Sequence, residues 1–83
     1  LKDYENAIQL NPDDALAYYN RGIVYFGMQQ YEDAFRDFNT TLEKDPNYAN
    51  AYYWRGKTYE ALGNTVAAET DFNKYEELTG QKP

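Results

Sequence analysis

The chain has no cysteine and no histidine among its 83 residues. Those two absences exclude disulfides, thiol nucleophiles, imidazole general bases and the ordinary Cys/His zinc sites together. They assign no compartment. Positive charge is also scarce: eight Lys and Arg stand against fourteen Asp and Glu, a formal net charge of −6 and a pI near 4.4. Nucleic-acid binding depends on neutralising phosphates with Lys and Arg, and an anionic membrane surface asks for the same chemistry, so neither is an expected partner. No apolar run approaches the roughly 18 residues of a membrane span, and no signal-peptide pattern is visible. Tyrosine, in contrast, is abundant: ten residues, in a chain that is 18% aromatic. A tyrosine packs a large ring while keeping a polar tip, which suits half-buried helix interfaces and recognition surfaces.

Several features recur at one interval. Tyr18-Tyr19-Asn20-Arg21-Gly22 with Tyr25 returns as Tyr52-Tyr53-Trp54-Arg55-Gly56 with Tyr59, 34 residues later. Pro12 and Pro46 keep the spacing, as do Ala34 and Ala68. Asp3-Tyr4, Asp37-Phe38 and Asp71-Phe72 give three copies of an Asp-aromatic pair. Segments 15–48 and 49–82 share 12 identities in 34 positions. Internal repetition at this period marks a stacked solenoid, in which each unit buries its apolar face against the next.

The residues resemble the tetratricopeptide repeat (TPR) pattern, Trp-x2-Leu-Gly-x2-Tyr, then Ala-x3-Phe, then Pro. The first full copy reads Tyr18-x2-Arg21-Gly22-x2-Tyr25, Ala34-x3-Phe38 and Pro46, and the second reads Tyr52-x2-Arg55-Gly56-x2-Tyr59 and Ala68-x3-Phe72. A half copy with Tyr4 and Pro12 precedes them. The resemblance covers essentially the whole chain and implies an all-α fold, with antiparallel helix-turn-helix repeats stacked as a right-handed superhelix. The single domain divides into the second helix of a truncated repeat (1–14), repeat one (15–48) and repeat two (49–82). Three departures stand out. Arginine replaces the family's leucine twice, Gly80 stands in place of the last proline, and Thr41 and Tyr75 replace the small residue that Ala7 supplies in the half copy.

Five helices are expected, over 1–10, 14–28, 31–44, 48–62 and 65–79. Asn11-Pro12 and Asp45-Pro46-Asn47 act as stop-and-cap devices, because proline disfavours helical geometry in the residue before it. Asp13 or Asp14 caps the second helix, and Gly63-Asn64 stops the fourth. Loops of two to four residues force consecutive helices antiparallel. Gly22 and Gly56 lie inside helices, where each costs about 1 kcal/mol relative to Ala; a cost repeated at one position predicts close approach of a neighbouring helix. Arg21 and Arg55 occupy an ordinarily apolar, buried position, and a buried guanidinium needs a partner. Arg21 is expected to pair with Asp37 or Asp3, and Arg55 with Asp71 or Asp37.

The helix over 14–28 is apolar nearly all round. Tyr18, Gly22 and Tyr25 form one stripe; Leu16, Tyr19, Ile23 and Phe26 form another, although an ordinary core needs only one. In the resembled family the first helices of successive repeats line a concave groove that holds a peptide or partner helix. The resemblance places Leu16, Tyr19, Ile23, Phe26 and Gly27 there from repeat one, and Asn50, Tyr53, Lys57, Glu60 and Ala61 from repeat two. The expected ligand is a protein segment with an apolar or aromatic anchor near Tyr19–Ile23–Phe26 and polar groups near Lys57, bound as a helix or an extended peptide. For Leu16 and Ile23, packing against an absent preceding helix explains the stripe equally well. Trp54, beside the groove, reads either as a binding hot spot or as packing between repeats. Many TPR domains hold chaperone C-termini in a carboxylate clamp of Lys, Asn and Arg; here Tyr19, Ile23 and Trp54 occupy clamp positions, which argues against that ligand.

No constellation supports catalysis, and no cofactor or metal is expected. Asn39-Thr40-Thr41 matches the glycosylation sequon but falls within a predicted helix and is not read as a modification site. The chain opens inside a repeat, so residues are expected to precede it, and its truncated first face could drive self-association. The polar last helix, with Glu69, Thr70, Asn73, Lys74, Glu76 and Glu77, reads as a capping helix that closes the array near residue 80. The expected function is a non-enzymatic protein-binding scaffold. The alternatives are a structural or self-associating module, and a targeting appendage of a larger enzyme.

Overall fold

The computed structural model describes residues 2–83, and five helices account for most of them. They are α1 (Lys2–Leu10), α2 (Ala15–Gly27), α3 (Tyr31–Lys44), α4 (Ala49–Ala61) and α5 (Thr65–Thr79). Each lies within a residue or so of its expected bounds; Leu1, expected to open α1, lies outside the described residues. Successive helices pair antiparallel: α2 packs on α3 and α4 on α5, α3 and α4 join the two pairs, and α2 touches α4 directly. α1 lies against α2 and contributes no buried residue.

The stops follow the sequence physics. Asp45, the residue before Pro46, has φ −140° and ψ 93°, the extended geometry that a following proline imposes. Asp14 caps α2 by accepting a hydrogen bond from Leu16 N at 3.1 Å. Asp13 instead pairs with Lys44 of α3 at 3.2 Å. The second stop is not a second cap. Asp45 accepts from Asn47 N at 3.1 Å, and α4 begins from Tyr48 with no side-chain cap. Asn64, read from sequence as part of a stop signal, also starts the next helix by accepting from Ala67 N at 3.2 Å. The turn between paired helices requires a left-handed residue, supplied by Gly63 (φ 86°) in repeat two and by Gln29 (φ 61°) at the equivalent position of repeat one.

The core is built from small residues facing large rings. Ala17, Ala34, Ala51 and Ala68 are buried together with Phe38 and Leu42. The helical glycines explain the close packing. A Cβ at Gly22 would lie 2.7 Å from Phe38 Cε1, and one at Gly56 would lie 2.7 Å from Phe72 Cε1. The missing side chain therefore admits an aromatic ring from the partner helix, in the same way in both copies. Two fully buried threonines return their hydroxyls to their own helices: Thr41 donates to Asp37 O at 2.8 Å and Thr58 to Trp54 O at 2.7 Å. Among the described residues, no buried side-chain nitrogen or oxygen is without a hydrogen-bond partner.

Candidate protein-interaction surface

The motif residues sort by what they touch. Arg21 donates from Nε and Nη2 to both oxygens of Asp37, each at 2.7 Å. Arg55 does the same with Asp71 at 2.8 and 2.7 Å, and adds a bond from Nη1 to Asn39 Oδ1 of the preceding repeat at 3.1 Å. Asp3 takes no part in the Arg21 bonds. The expected burial is reversed in emphasis: the aspartates are buried, at 3% and 4% side-chain exposure, while the guanidinium groups keep about a fifth of theirs. Tyrosines frame each cation. Arg21 lies 6.0 and 5.8 Å from the Tyr18 and Tyr25 rings, and Arg55 lies 5.5 and 5.9 Å from Tyr52 and Tyr59. Hydrogen bonding to its aspartate holds each guanidinium above its usual pKa. These arginines are internal fasteners of the repeats. Asn39 of the sequon is occupied by Arg55, and Thr41 of the same sequon is fully buried.

The second tyrosine of each doublet packs on the aromatic ring of the partner helix instead. Tyr19 lies over Phe38 at 6.1 Å and an interplanar angle of 52°, and Tyr53 lies over Phe72 at 5.9 Å and 53°. Tyr19 also meets Tyr48 at 4.9 Å, and Tyr53 meets Tyr75 at 5.4 Å. Burial pushes the Tyr19 hydroxyl above its ordinary pKa, with Tyr48 adding to the shift and Trp54 opposing it. Leu16 remains 50% exposed, and Ile23 is half-buried.

Phe26 and Trp54 take a different place from the open groove position. Phe26 meets Tyr31 at 5.2 Å and Trp54 at 5.3 Å, both edge-to-face, so this pair joins repeat one to repeat two. Of the two readings of Trp54, packing between repeats is the one its contacts describe, though it too stays half-buried.

In repeat two, Tyr53, Lys57 and Glu60 converge on one cavity of about 270 Å³, completed by Phe72 and Pro83. Lys57 lies 5.7 Å from the Tyr53 ring and 3.9 Å from Glu60. Asn50 is exposed on the same helix. Sequence reasoning did not include Phe72, Tyr75, Tyr48 or Pro83 in this region. The repeat gives Phe72 the position of Phe38, and the structure places it under Tyr53 as Phe38 lies under Tyr19. Pro83 offered no signal. No group of residues able to hold a metal ion occurs among the described residues, and none of their helices is long and apolar enough to cross a membrane.

The comparisons with known proteins agree with this architecture. A family model described as "TPR repeat" matches residues 1–29 and 24–63, and one described as "Tetratricopeptide repeat" matches 49–82. Tetratricopeptide repeat protein 6 of Homo sapiens is 50% identical over 34 residues, which is 41% of this chain and 6% of that protein. The crystal structure of MamA superposes with a TM-score of 0.88 at 32% identity, covering 93% of this chain and 45% of MamA. The second TPR of Spaghetti (RPAP3), solved with the HSP90 peptide SRMEEVD, gives 0.88 at 31% identity, covering 90% of this chain and 69% of that one. This chain thus spans a small part of its curated relative and less than half of MamA. Its stacked repeats have the architecture of a protein-interaction scaffold. With family models matched from residue 1 to residue 82 and the same paired helices in both full repeats, the chain belongs to the tetratricopeptide repeat family.

Proposed function

We propose that this chain binds a protein segment, as an extended peptide or a helix, along the face shared by α2 and α4, and acts by binding rather than by catalysis. The observation that carries the reading is the convergence of Tyr53, Lys57 and Glu60 on one cavity, with the exposed Leu16 and half-buried Tyr19 and Ile23 on the preceding first helix. The ligand's apolar anchor meets Leu16, Tyr19 and Ile23, and its polar groups meet Lys57, Glu60 and Asn50. Phe26 and Trp54 support this surface from between the repeats. A carboxylate-clamp ligand is not proposed, because Tyr19, Ile23 and Trp54 stand where the clamp's polar residues would be; titration with SRMEEVD is expected to leave the amide spectrum unchanged.

The test is affinity capture with the chain beside a Leu16→Ala/Lys57→Glu variant, followed by direct binding measurements on the proteins recovered. Both positions are partly exposed, so the variant keeps its fold, whereas Phe26→Ala would open the joint between repeats. A ligand whose affinity drops in the folded variant supports the groove. Equal affinity for both proteins rejects it. Self-association is a second reading, favoured by Leu10, 88% exposed at the end of an α1 that has no buried residue. Sedimentation that shows a strict monomer at high concentration removes it.

A further inference from the structure

Tyrosine is the abundant oxidisable residue of this chain: ten tyrosines stand beside one methionine and one tryptophan. With no cysteine, the chain has no thiol of its own to intercept an oxidant or to repair a phenoxyl radical. Met28, about half exposed, takes oxygen from peroxides in a two-electron step that leaves the phenols untouched. One-electron oxidation falls on the aromatic rings, and its outcome depends on which rings meet. Tyr18, Tyr25, Tyr52 and Tyr59 are set around the arginines. Among the described residues two tyrosine pairs meet ring to ring. Tyr19 and Tyr48 have centroids 4.9 Å apart with an interplanar angle of 39°, and Tyr53 and Tyr75 stand at 5.4 Å and 53°.

The Tyr19–Tyr48 pair is both nearer and freer. Tyr48 precedes α4 with non-helical backbone angles, φ −77° and ψ 87°, so its ring can adjust to a partner. Tyr53 and Tyr75 are fixed within helices, and Tyr53 is also held by Trp54 and Phe72. Tyr19 and Tyr48 are both half-buried, so solvent reaches them. We propose that Tyr19 and Tyr48 form an oxidative cross-linking site, joined as dityrosine by one-electron oxidants of the peroxidase class acting with hydrogen peroxide. Each phenol gives up one electron and one proton. The two phenoxyl radicals form one bond between ring carbons ortho to oxygen, and the hydrogens on those carbons move to the oxygens to restore both phenols. One peroxide accepts the two electrons and two protons and leaves as two waters. The new bond ties α2 to the residue that opens α4 and encloses α3, so it staples repeat one to the start of repeat two.

The test treats the dilute chain with a peroxidase and limiting hydrogen peroxide. The expected product is a monomer with the blue fluorescence of dityrosine, in which tryptic peptides 3–21 and 45–55 are joined with the loss of two hydrogens. Tyr19→Phe and Tyr48→Phe each remove one hydroxyl, keep the ring that packs, and are expected to abolish that product while retaining helical circular dichroism. Tyr53→Phe is expected to leave it in place. The cross-linked monomer is expected to melt about 5 °C or more above the untreated chain, because the bond constrains the unfolded chain as a long-loop disulfide does. The proposal is overturned by undiminished product in either the Tyr19 or the Tyr48 variant, by cross-linking only between molecules, by oxidation that stops at Met28 and Trp54, or by a cross-linked monomer that melts no higher.

Discussion

Gly22 and Gly56 provide a matched experiment within one molecule. Replacing either with alanine places a Cβ 2.7 Å from a phenylalanine ring carbon, with further contacts at 3.0 and 3.1 Å, and the three distances are the same at both sites. Carbon atoms prefer about 3.5–4.0 Å, so the ring has to move. The opposing term is also the same at both sites, since alanine gains about 1 kcal/mol over glycine inside a helix. What differs is the room for the ring. Phe38 is 0% exposed and sealed under Tyr19 and the next repeat, whereas Phe72 reaches the open α4–α5 face. Overpacking a closed core costs about 1–3 kcal/mol, so with about 1 kcal/mol of helix propensity set against it Gly22→Ala is expected to destabilise the chain by up to about 2 kcal/mol net. Gly56→Ala is expected to be close to neutral, because Phe72 can swing outward. At about 4–8 °C per kcal/mol for a domain of this size, each kcal/mol of difference separates the melting temperatures of the two variants by about 4–8 °C, with Gly22→Ala the lower. Thermal and urea denaturation of both variants measure the difference. Equal effects at the two sites, or a stabilising Gly22→Ala, would refute the reasoning that ring confinement sets the sign.

Three further outcomes follow from the same contacts. Gln29 holds a left-handed backbone that glycine provides in repeat two, so Gln29→Gly is expected to raise stability by up to about 1 kcal/mol, read from the urea midpoint. Arg55→Ala strands the buried Asp71 and also severs the bond to Asn39, and is expected to cost about 2–4 kcal/mol, roughly 1 kcal/mol more than Arg21→Ala; a double-mutant cycle on Arg55 and Asp71 that gives no coupling contradicts the fastening role. Tyr19 and Tyr48 both have raised pKa values, caused chiefly by burial. Their stabilising contribution is therefore fully present below the unfolded phenol value of about 10 and lost as pH rises beyond it. Stability measured from pH 9 upward is expected to fall, less steeply in a Tyr19→Phe/Tyr48→Phe variant, and an unchanged slope in that variant rejects the assignment.

The repeat made most of the fold legible. One spacing located the paired helices, and the intrahelical glycines announced a close neighbour, though not that it is the ring of Phe38 or Phe72 that fills each notch. The Arg–Asp fasteners were legible as alternatives, and the structure chose the pairing within each repeat because Arg21 and Asp37 face each other across the α2–α3 contact. Features lying between repeats were harder to read. Phe26 belongs to the groove by its position, yet its ring is spent on Tyr31 and Trp54. Tyr48 falls in a loop, where periodicity says nothing, and still becomes the neighbour of Tyr19. The Asp45-Pro46-Asn47 turn copies the earlier stop in composition but not in capping, because Asp45 bonds to Asn47 rather than reaching α4. Side-chain direction across an interface depends on the superhelical packing of neighbours, which no single-helix pattern encodes.

The central claim is that recognition lies on the shared face of α2 and α4 while the arginines and first tyrosines hold the repeats together. Selecting peptides from a random library against the 83-residue chain, then mapping the tightest by amide shifts, tests it most directly. The account predicts perturbations clustered on Leu16, Tyr19, Ile23, Tyr53 and Lys57, with binding weakened about tenfold or more by Lys57→Glu. Selected peptides that map instead around Arg21 and Arg55, or that bind the Leu16→Ala/Lys57→Glu variant as tightly as the parent chain, would contradict it.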